Sequence, residues 1–499
     1  MKDGMTWYKF LSKNVTVAGS NQRENFRIKK HDKGLELIVY KMKRFDTTGI
    51  MYQRIFDPSV TKELRLYGLN GNDKFQIDAD ADSKIKVRII GGKGKDSFDV
   101  RGNVRNYIYD LPSEENGIIN SRKSKIDLSV DPIIDEFKTT NNEYNIYRFP
   151  HMSYGFNPED KLLIGLGVSS KTFGFRKEPF ATSQKLSSLF ALNHLAYQLK
   201  YEGIFNSVFL RKDLVVNAEF VNPTLNNYFG LGNETVYNKD LPISFYRVRY
   251  KYVTGEVLVR KRLNEVLDIS AGPSYYHYWI NYSDNKNRIL GKPSMIGTDS
   301  ASIYATKDYL GGKLKININY VNNPIFPTRG ITWYSELSSM FGLNDKSKNI
   351  TRITSDMTVY ASLTEERKLM AVFRLGAGRI FNKDFEYFQA LNLGTNNFIR
   401  GFRKNRFSGS SLAYSSLEFR VKLFKSKSYI LPGDVGLLSF YDVGRVWQHD
   451  KVSSKWHHAY GGGIYYTPFD IIIVSATLGI SDEDQIFNFS IGTKFNITF

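Results

Sequence analysis

The chain contains no cysteine, which excludes disulfides, thiolate metal sites and a cysteine nucleophile together. It also lacks any run of eighteen or so apolar residues of the kind a membrane-spanning helix needs. The densest stretch, Ile471 to Ala476, already contains Ser475. Crossing a bilayer by a helix is excluded, whereas crossing by strands is not, because barrel strands hide their hydrophobicity in alternation. Catalytic signatures are missing too. The seven histidines show no HExxH spacing, and the adjacent His457 and His458 would point to opposite faces of a strand. Neither a GxSxG elbow nor a phosphate-cradling loop occurs. No enzyme, cofactor or metal site is therefore expected. The segment Met1 to Val15 carries Lys2, Asp3, Lys9 and Lys13 and has no apolar core of a secretory signal. For an envelope protein this implies a processed or truncated form, or a natural start other than Met1.

What the chain has is aromatic residues, 14% of the total with 32 Tyr and 35 Phe, a bias that suits pleated, half-buried strands. From about residue 147 onward, long segments alternate apolar and polar residues. In the last one, Phe487, Phe489, Ile491, Thr493, Phe495, Ile497 and Phe499 share one face, while Asn488, Ser490, Gly492, Lys494, Asn496 and Thr498 share the other. At ~3.3 Å per residue and a tilt of ~45° this segment spans roughly 30 Å, a bilayer core. Strand starts are expected near 147, 160, 183, 196, 208, 243, 266, 308, 331, 350, 367, 410, 434, 456, 470 and 485. That is sixteen, and an even count puts both barrel ends on one side. Short turns such as Thr467 to Asp470 alternate with long loops such as Tyr282 to Ala305 and Asn382 to Gly409, which places the long loops outside and the termini in the periplasm. Tyr275, Tyr276, Tyr278 and Trp279, with Trp447 and Trp456, are then expected as an outer aromatic girdle.

Residues 1–146 differ: strands are shorter, charge is denser, and turns such as Gly68-Leu69-Asn70-Gly71-Asn72-Asp73 and Gly91-Gly92-Lys93-Gly94-Lys95-Asp96 appear. The second turn resembles a calcium-binding GGxGxD nonapeptide, but plain β-turn chemistry is the preferred explanation. With only two copies twenty-three residues apart, stacked calcium-binding turns in tandem are not expected. The reading is an all-β chain: a sixteen-stranded antiparallel transmembrane β-barrel over 147–499 and an N-terminal periplasmic β-rich domain over 1–146. The net charge of +19 fits outer-membrane lipid and lipopolysaccharide phosphates as partners, and charge alone does not separate these from nucleic acid. Given a barrel, no nucleic-acid partner is expected.

The constellation richest in information lies between 394 and 468. Phe398-Ile399-Arg400-Gly401-Phe402 sits in a long loop, Glu418-Phe419-Arg420 on the next strand, and Phe440-Tyr441-Asp442-Val443-Gly444 on the one after. With Leu417, Phe419, Tyr441 and Val443 facing lipid, Glu418, Arg420 and Asp442 face the lumen. Such charges either pair with Arg400, whose neighbour Gly401 permits a tight turn, or line a hydrated pore. The order and spacing of these motifs resemble the BamA/TamA-like surface-antigen barrel superfamily of outer-membrane insertases and two-partner-secretion transporters. There a [VI]RG[FY] loop enters a sixteen-stranded barrel and its arginine meets the aspartate of an FxDxG strand. The resemblance covers roughly 147–499. It implies a loop-to-lumen ion-pair network of Arg400, Gly401, Phe402, Glu418, Arg420, Asp442 and Gly444, and a C-terminal targeting strand ending in Phe495, Ile497 and Phe499. It further implies client polypeptides with periplasmic or lipoprotein partners, and insertion or translocation at the outer membrane. Residues 1–146 depart from the family, because no helical periodicity supplies its periplasmic βααββ modules. That segment, with Tyr147-Arg148-Phe149-Pro150, resembles instead Bacteroidetes proteins in which a metallophosphoesterase precedes the barrel. This leaves an alternative role, a barrel anchoring or exporting such a domain, encoded upstream or lost.

Overall fold

The structure is a computed structural model. It describes residues 2–493 apart from 44–45, 131–133, 135, 138–143, 158–160, 193–195, 210–211, 293–299, 396–397 and 450. Phe495, Ile497 and Phe499 lie outside the described residues. The chain divides into two units, Met1–Asn142 and Glu143–Phe499.

The first unit is built from stacked rungs. Glu63–Tyr67, Asp82–Ile90, Asn103–Asp110 and Ser124–Leu128 form one parallel sheet with Asn14–Ala18 at its edge. Lys74–Ile77, Ser97–Val100 and Gly117–Ser121 form part of a second sheet, continued by Glu24–His31 and the antiparallel pair Gly34–Lys43 and Asp46–Phe56. Because the rungs are in register, like residues stack. Phe26, Phe75 and Phe98 lie one above another at 4.8 and 5.5 Å between ring centroids, within a core where Leu64, Val87 and Ile108 are fully buried. One amphipathic α-helix, Lys2–Leu11, precedes the rungs and was not expected from the sequence.

The two glycine turns stack on one another through hydrogen bonds. Asn70 bridges to Lys93, and the Asp73 N–H donates to Asp96 Oδ1 at 2.7 Å. The ladder continues on both sides with residues outside the motif: Glu24 N–H donates to Asp73 Oδ1, and Asp96 N–H to Asn116 Oδ1, each at 2.7 Å. Each carboxylate thus caps the backbone of the rung before it. Among the described residues no cluster is arranged to hold a metal ion. Asp73 is fully buried and its Oδ2 has no hydrogen-bond partner. Burial, with Asp96 and Glu24 close by, pushes its carboxyl up to about 8.

In the second unit sixteen strands run from Ile146–Asn157 to Gln485–Thr493, each hydrogen-bonded antiparallel to its neighbour along the chain. The starts at 182, 196, 267, 307, 330, 350, 411, 433, 457 and 485 fall within one residue of those read from alternation. One end carries short turns such as Phe469–Ile471, and the other carries the long connections 228–246, 280–306 and 381–410. The first and last strands lie side by side. Among the described residues no strand ladder joins them, whereas every other neighbouring pair has one.

The aromatic cluster on Leu267–Trp279 divides between faces. Tyr275 is exposed on the outside, but Tyr276 and Tyr278 point inward, and Tyr278 is fully buried. With aromatic residues on both faces, alternation shows that the faces differ but not which one meets lipid.

A raised carboxyl pKa means folding takes up a proton, so the contribution of Asp73 falls as pH rises from about 4 to about 8. Asp73→Asn keeps the Oδ1 acceptor, as Asn116 does, and cannot ionise. It should stabilise the rungs by on the order of 3 kcal/mol at pH 8 and by much less at pH 4. Hydrogen exchange across 63–128, corrected for intrinsic rates, reads this out, and a pH-independent difference would refute it.

Candidate functional site: a loop folded into the lumen

The 381–410 connection does not stay outside. It carries a 3-10 turn, Tyr387–Gln389, and a short pair of strands, Leu391–Leu393 and Phe407–Gly409. It folds down against the inner wall, burying Leu393, Ile399, Phe402 and Phe407 with Leu412, Val446 and Ala459.

At its tip Arg400 meets both candidate carboxylates. Its Nε donates to Asp442 Oδ2 at 2.9 Å and its Nη2 to Asp442 Oδ1 at 2.8 Å, so the planar guanidinium fork faces the carboxylate squarely. The Arg400 backbone N–H also donates to Asp442 Oδ2, at 3.0 Å. Nη1 donates to Glu418, whose other oxygen accepts from Arg420 Nε at 2.6 Å. Ser416 Oγ accepts from Arg400 Nη2 at 3.0 Å and donates to Asp442 Oδ1 at 2.6 Å. The Arg400 guanidinium lies over the Phe440 ring, 3.6 Å from its centroid. Asp442 has no solvent exposure at all, while Arg400 keeps about a quarter of its side-chain surface.

Gly401 has a different role from the tight turn expected of it, since it is not in the left-handed region. A Cβ there would come 2.8 Å from Ala459 Cβ and 2.9 Å from the Ile480 carbonyl. Only glycine lets the loop lie that close to the wall. Gly444 serves the same purpose from the wall side, where a Cβ would meet Ile399 at 2.8 Å. Phe402 is fully buried beside Phe407 and His457.

Other anchors escaped the sequence reading because their partners are remote in the chain. Arg406, almost fully buried, sends Nε and Nη2 to the two oxygens of Glu483, each at 2.6 Å, and Nη1 to Thr235 Oγ1 at 2.7 Å. Lys307, with no exposed side-chain surface, pairs with Glu386 at 2.6 Å. Phe388 lies flat on Tyr278 at 4.1 Å and on Tyr276 at 6.0 Å, and the Tyr387 and Tyr278 hydroxyls meet at 2.8 Å. The loop therefore spans from strands Arg247–Arg262 and Leu267–Trp279 to strands Ser411–Ser426 and Gly433–Trp447. It also reaches the last two strands. Ser481 Oγ donates to the Gly401 carbonyl at 2.8 Å, and Asn488 Nδ2 to the Arg400 carbonyl at 3.2 Å.

A sixteen-stranded antiparallel barrel with an apolar outer face and a loop pinned inside its lumen is an outer-membrane β-barrel, of the class serving protein transport and membrane assembly. Residues 195–495, more than half of the chain, match the Omp85 superfamily domain, and the chain belongs to that family. No curated protein sequence matches it. Among solved structures, it is similar to BamA from Haemophilus ducreyi lacking POTRA domains 1–3, with 12% identity over 70% of each chain and a TM-score of 0.51. It is also similar to CdiB from Escherichia coli, with 14% identity over 70% of this chain and 62% of that one and a TM-score of 0.45. At such identities the likeness is one of fold.

Two experiments probe the loop. Because Asp442 is wholly buried, removing its partner should cost about 3–5 kcal/mol, more than a hydrated lumen would allow. Arg400→Ala and Asp442→Ala should each raise hydrogen exchange of 394–409 in an assembled barrel. The double variant should lose clearly less than the sum, and strict additivity would return these residues to pore lining. Independently, Phe388→Ala should loosen 381–390 by about 2–3 kcal/mol and raise single-channel conductance while the Arg400 end stays protected. Unchanged conductance would place the permeation path away from Phe388.

Proposed function

We propose that this barrel inserts or translocates polypeptide at the outer membrane, with the lumen loop holding the last strands in place while the seam beside them stays available to a client. One observation carries this reading. Arg400 and Gly401 are held by Asn488 and Ser481 on the last two strands, and among the described residues no ladder joins the last strand to the first. A strand edge without a partner offers a row of backbone donors and acceptors to any incoming strand. Such an edge needs support from elsewhere, and the loop supplies it from inside.

The N-terminal rungs belong, on this reading, in the periplasm, where they would meet clients or partner proteins before the barrel does. The C-terminal segment through Phe495, Ile497 and Phe499 would serve as the chain's own assembly signal, so deleting Phe499 should lower membrane yield.

The decisive experiment is depletion of the protein followed by quantification of the outer-membrane proteome. A broad loss of barrels supports insertion, and loss of one exported substrate supports dedicated translocation. Loss of neither would overturn the proposal and favour a barrel that only carries an attached domain. Orientation is tested separately, because the chain has no native thiol. Val452→Cys, on a fully exposed long-loop position, should react with a membrane-impermeant maleimide on intact cells. Tyr429→Cys, fully exposed at the opposite end, should react only after the outer membrane is permeabilised.

A further inference from the structure

The N-terminal rungs are closed at one end and open at the other. Two apolar columns run through their core: Phe26, Phe75 and Phe98 lie in register with Ile118, and Val17, Leu66, Ile89 and Ile108 with Ile126. Every member before the last is at most 6% exposed, whereas Ile118 and Ile126 are 40% and 39% exposed. Next to the first rung, the antiparallel pair Gly34–Lys43 and Asp46–Phe56 buries Leu35, Leu37, Val39 and Phe56 in the same core. Its outer strand bulges twice against its partner, which blunts it as an edge. At the other end Gly117–Ser121 and Ser124–Leu128 are the last strands of the two sheets, and among the described residues neither has a second neighbour. A stack of rungs that ends in exposed apolar side chains and strands paired on one side only needs a cover.

That cover has to meet two strands at once. A single extended segment would pair with one sheet and leave the column of the other open. The same end of a second copy presents the same two strands at the same spacing. A two-fold axis along the sheet normal sets Ser124–Leu128 antiparallel to its counterpart on one side and Gly117–Ser121 antiparallel to its counterpart on the other, so both sheets run on from copy to copy and apolar residues meet apolar ones. The same rotation exchanges the turns at the two ends of Gly117–Ser121. The turn after it carries exposed Arg122 and Lys123, with the Arg122 N–H on the Val100 carbonyl at 3.0 Å. The turn before it carries Glu114, which accepts the Gly94 N–H at 3.1 Å, and exposed Glu115, whose surface pair with Lys95 is 2.9 Å long. Each basic turn is thereby laid beside the acidic turn of the other copy. The closed end offers no matching surface, so head-to-tail stacking is blocked and association stops at two.

We propose that the N-terminal unit is a dimerisation module, joining two copies of this chain head to head through the rung formed by Gly117–Ser121 and Ser124–Leu128. Residues 114–128 are fifteen a side, against the roughly 20–30 of a standard stable interface. The contact is therefore weak between freely diffusing copies. Two barrels confined to one bilayer hold their N-terminal units at a high effective concentration, and the dimer forms there. The inference is independent of what the barrel handles and of which side of the membrane the rungs occupy.

Cysteine cross-linking of the full chain in native membranes tests the module, because the chain has no thiol of its own. Ile126→Cys and, on the other sheet, Ile118→Cys should each give a cross-linked dimer with a short bismaleimide. Ile50→Cys, exposed on Asp46–Phe56 at the closed end, should give none. In the Ile126→Cys background, Glu115→Lys or Lys123→Glu should each lower the dimer about fivefold, since one change alters two symmetry-related contacts. The two changes together exchange the charges and should restore the dimer, a recovery that damage to the rungs by either change does not produce. No dimer at positions 118 and 126, an equal yield at position 50, a thiol joined to a different polypeptide, or no recovery in the charge-exchanged variant would overturn the proposal.

Discussion

The buried carboxylate of Asp442 is the constraint on which the lumen's architecture turns. It projects inward from a membrane-spanning strand and is cut off from water, so it requires a cation with hydrogen-bonding geometry. Among the described residues no neighbouring strand supplies that cation. It comes from a loop that must therefore fold down the barrel, and bringing Arg400 to Asp442 sets the path of everything attached to it. The loop's apolar residues then pack on the wall, with Gly401 and Gly444 allowing the approach. Charge sets the position and packing makes it rigid.

Once inside, the loop ties together walls that a simple barrel leaves independent. Phe388 and Glu386 hold it to the strands that carry Tyr278 and Lys307, Arg406 holds it to Glu483, and its backbone carbonyls hold the last two strands. The strands beside the seam, which has no ladder among the described residues, are thus braced from within. An internal brace of this kind can hold edge strands in shape where their own pairing is incomplete, and this links the ion pair to the proposed handling of client strands.

The N-terminal unit obeys a different rule. Parallel rungs in register place like residues one above another, which suits phenylalanine stacks and also crowds carboxylates. At the glycine turns each Asp caps the rung before it, so the backbone is satisfied while like charges come close together. The Asp73 carboxyl is raised chiefly by its burial in that stack, with the neighbouring Asp96 and Glu24 adding to it.

Much of the barrel was legible in the sequence because its signal is local. Side chains alternate with period two along any strand, so segments such as Leu417 to Leu423 declared themselves, and their number and order followed. The inward placement of Glu418 and Asp442 came from the same alternation. Alternation could not decide Tyr275 to Trp279, where both faces are aromatic and only packing on Phe388 shows that Tyr276 and Tyr278 point inward. It could not reveal that the glycine turns stack, because Glu24 and Asn116 complete the ladder without carrying the motif. Nor could it join Arg406 to Glu483 or Lys307 to Glu386, separated by 77 and 79 residues. Backbone geometry repeats every two residues and is written into the chain. Which residues meet across a lumen or between rungs depends on closure and register, and those exist only once the whole chain has folded.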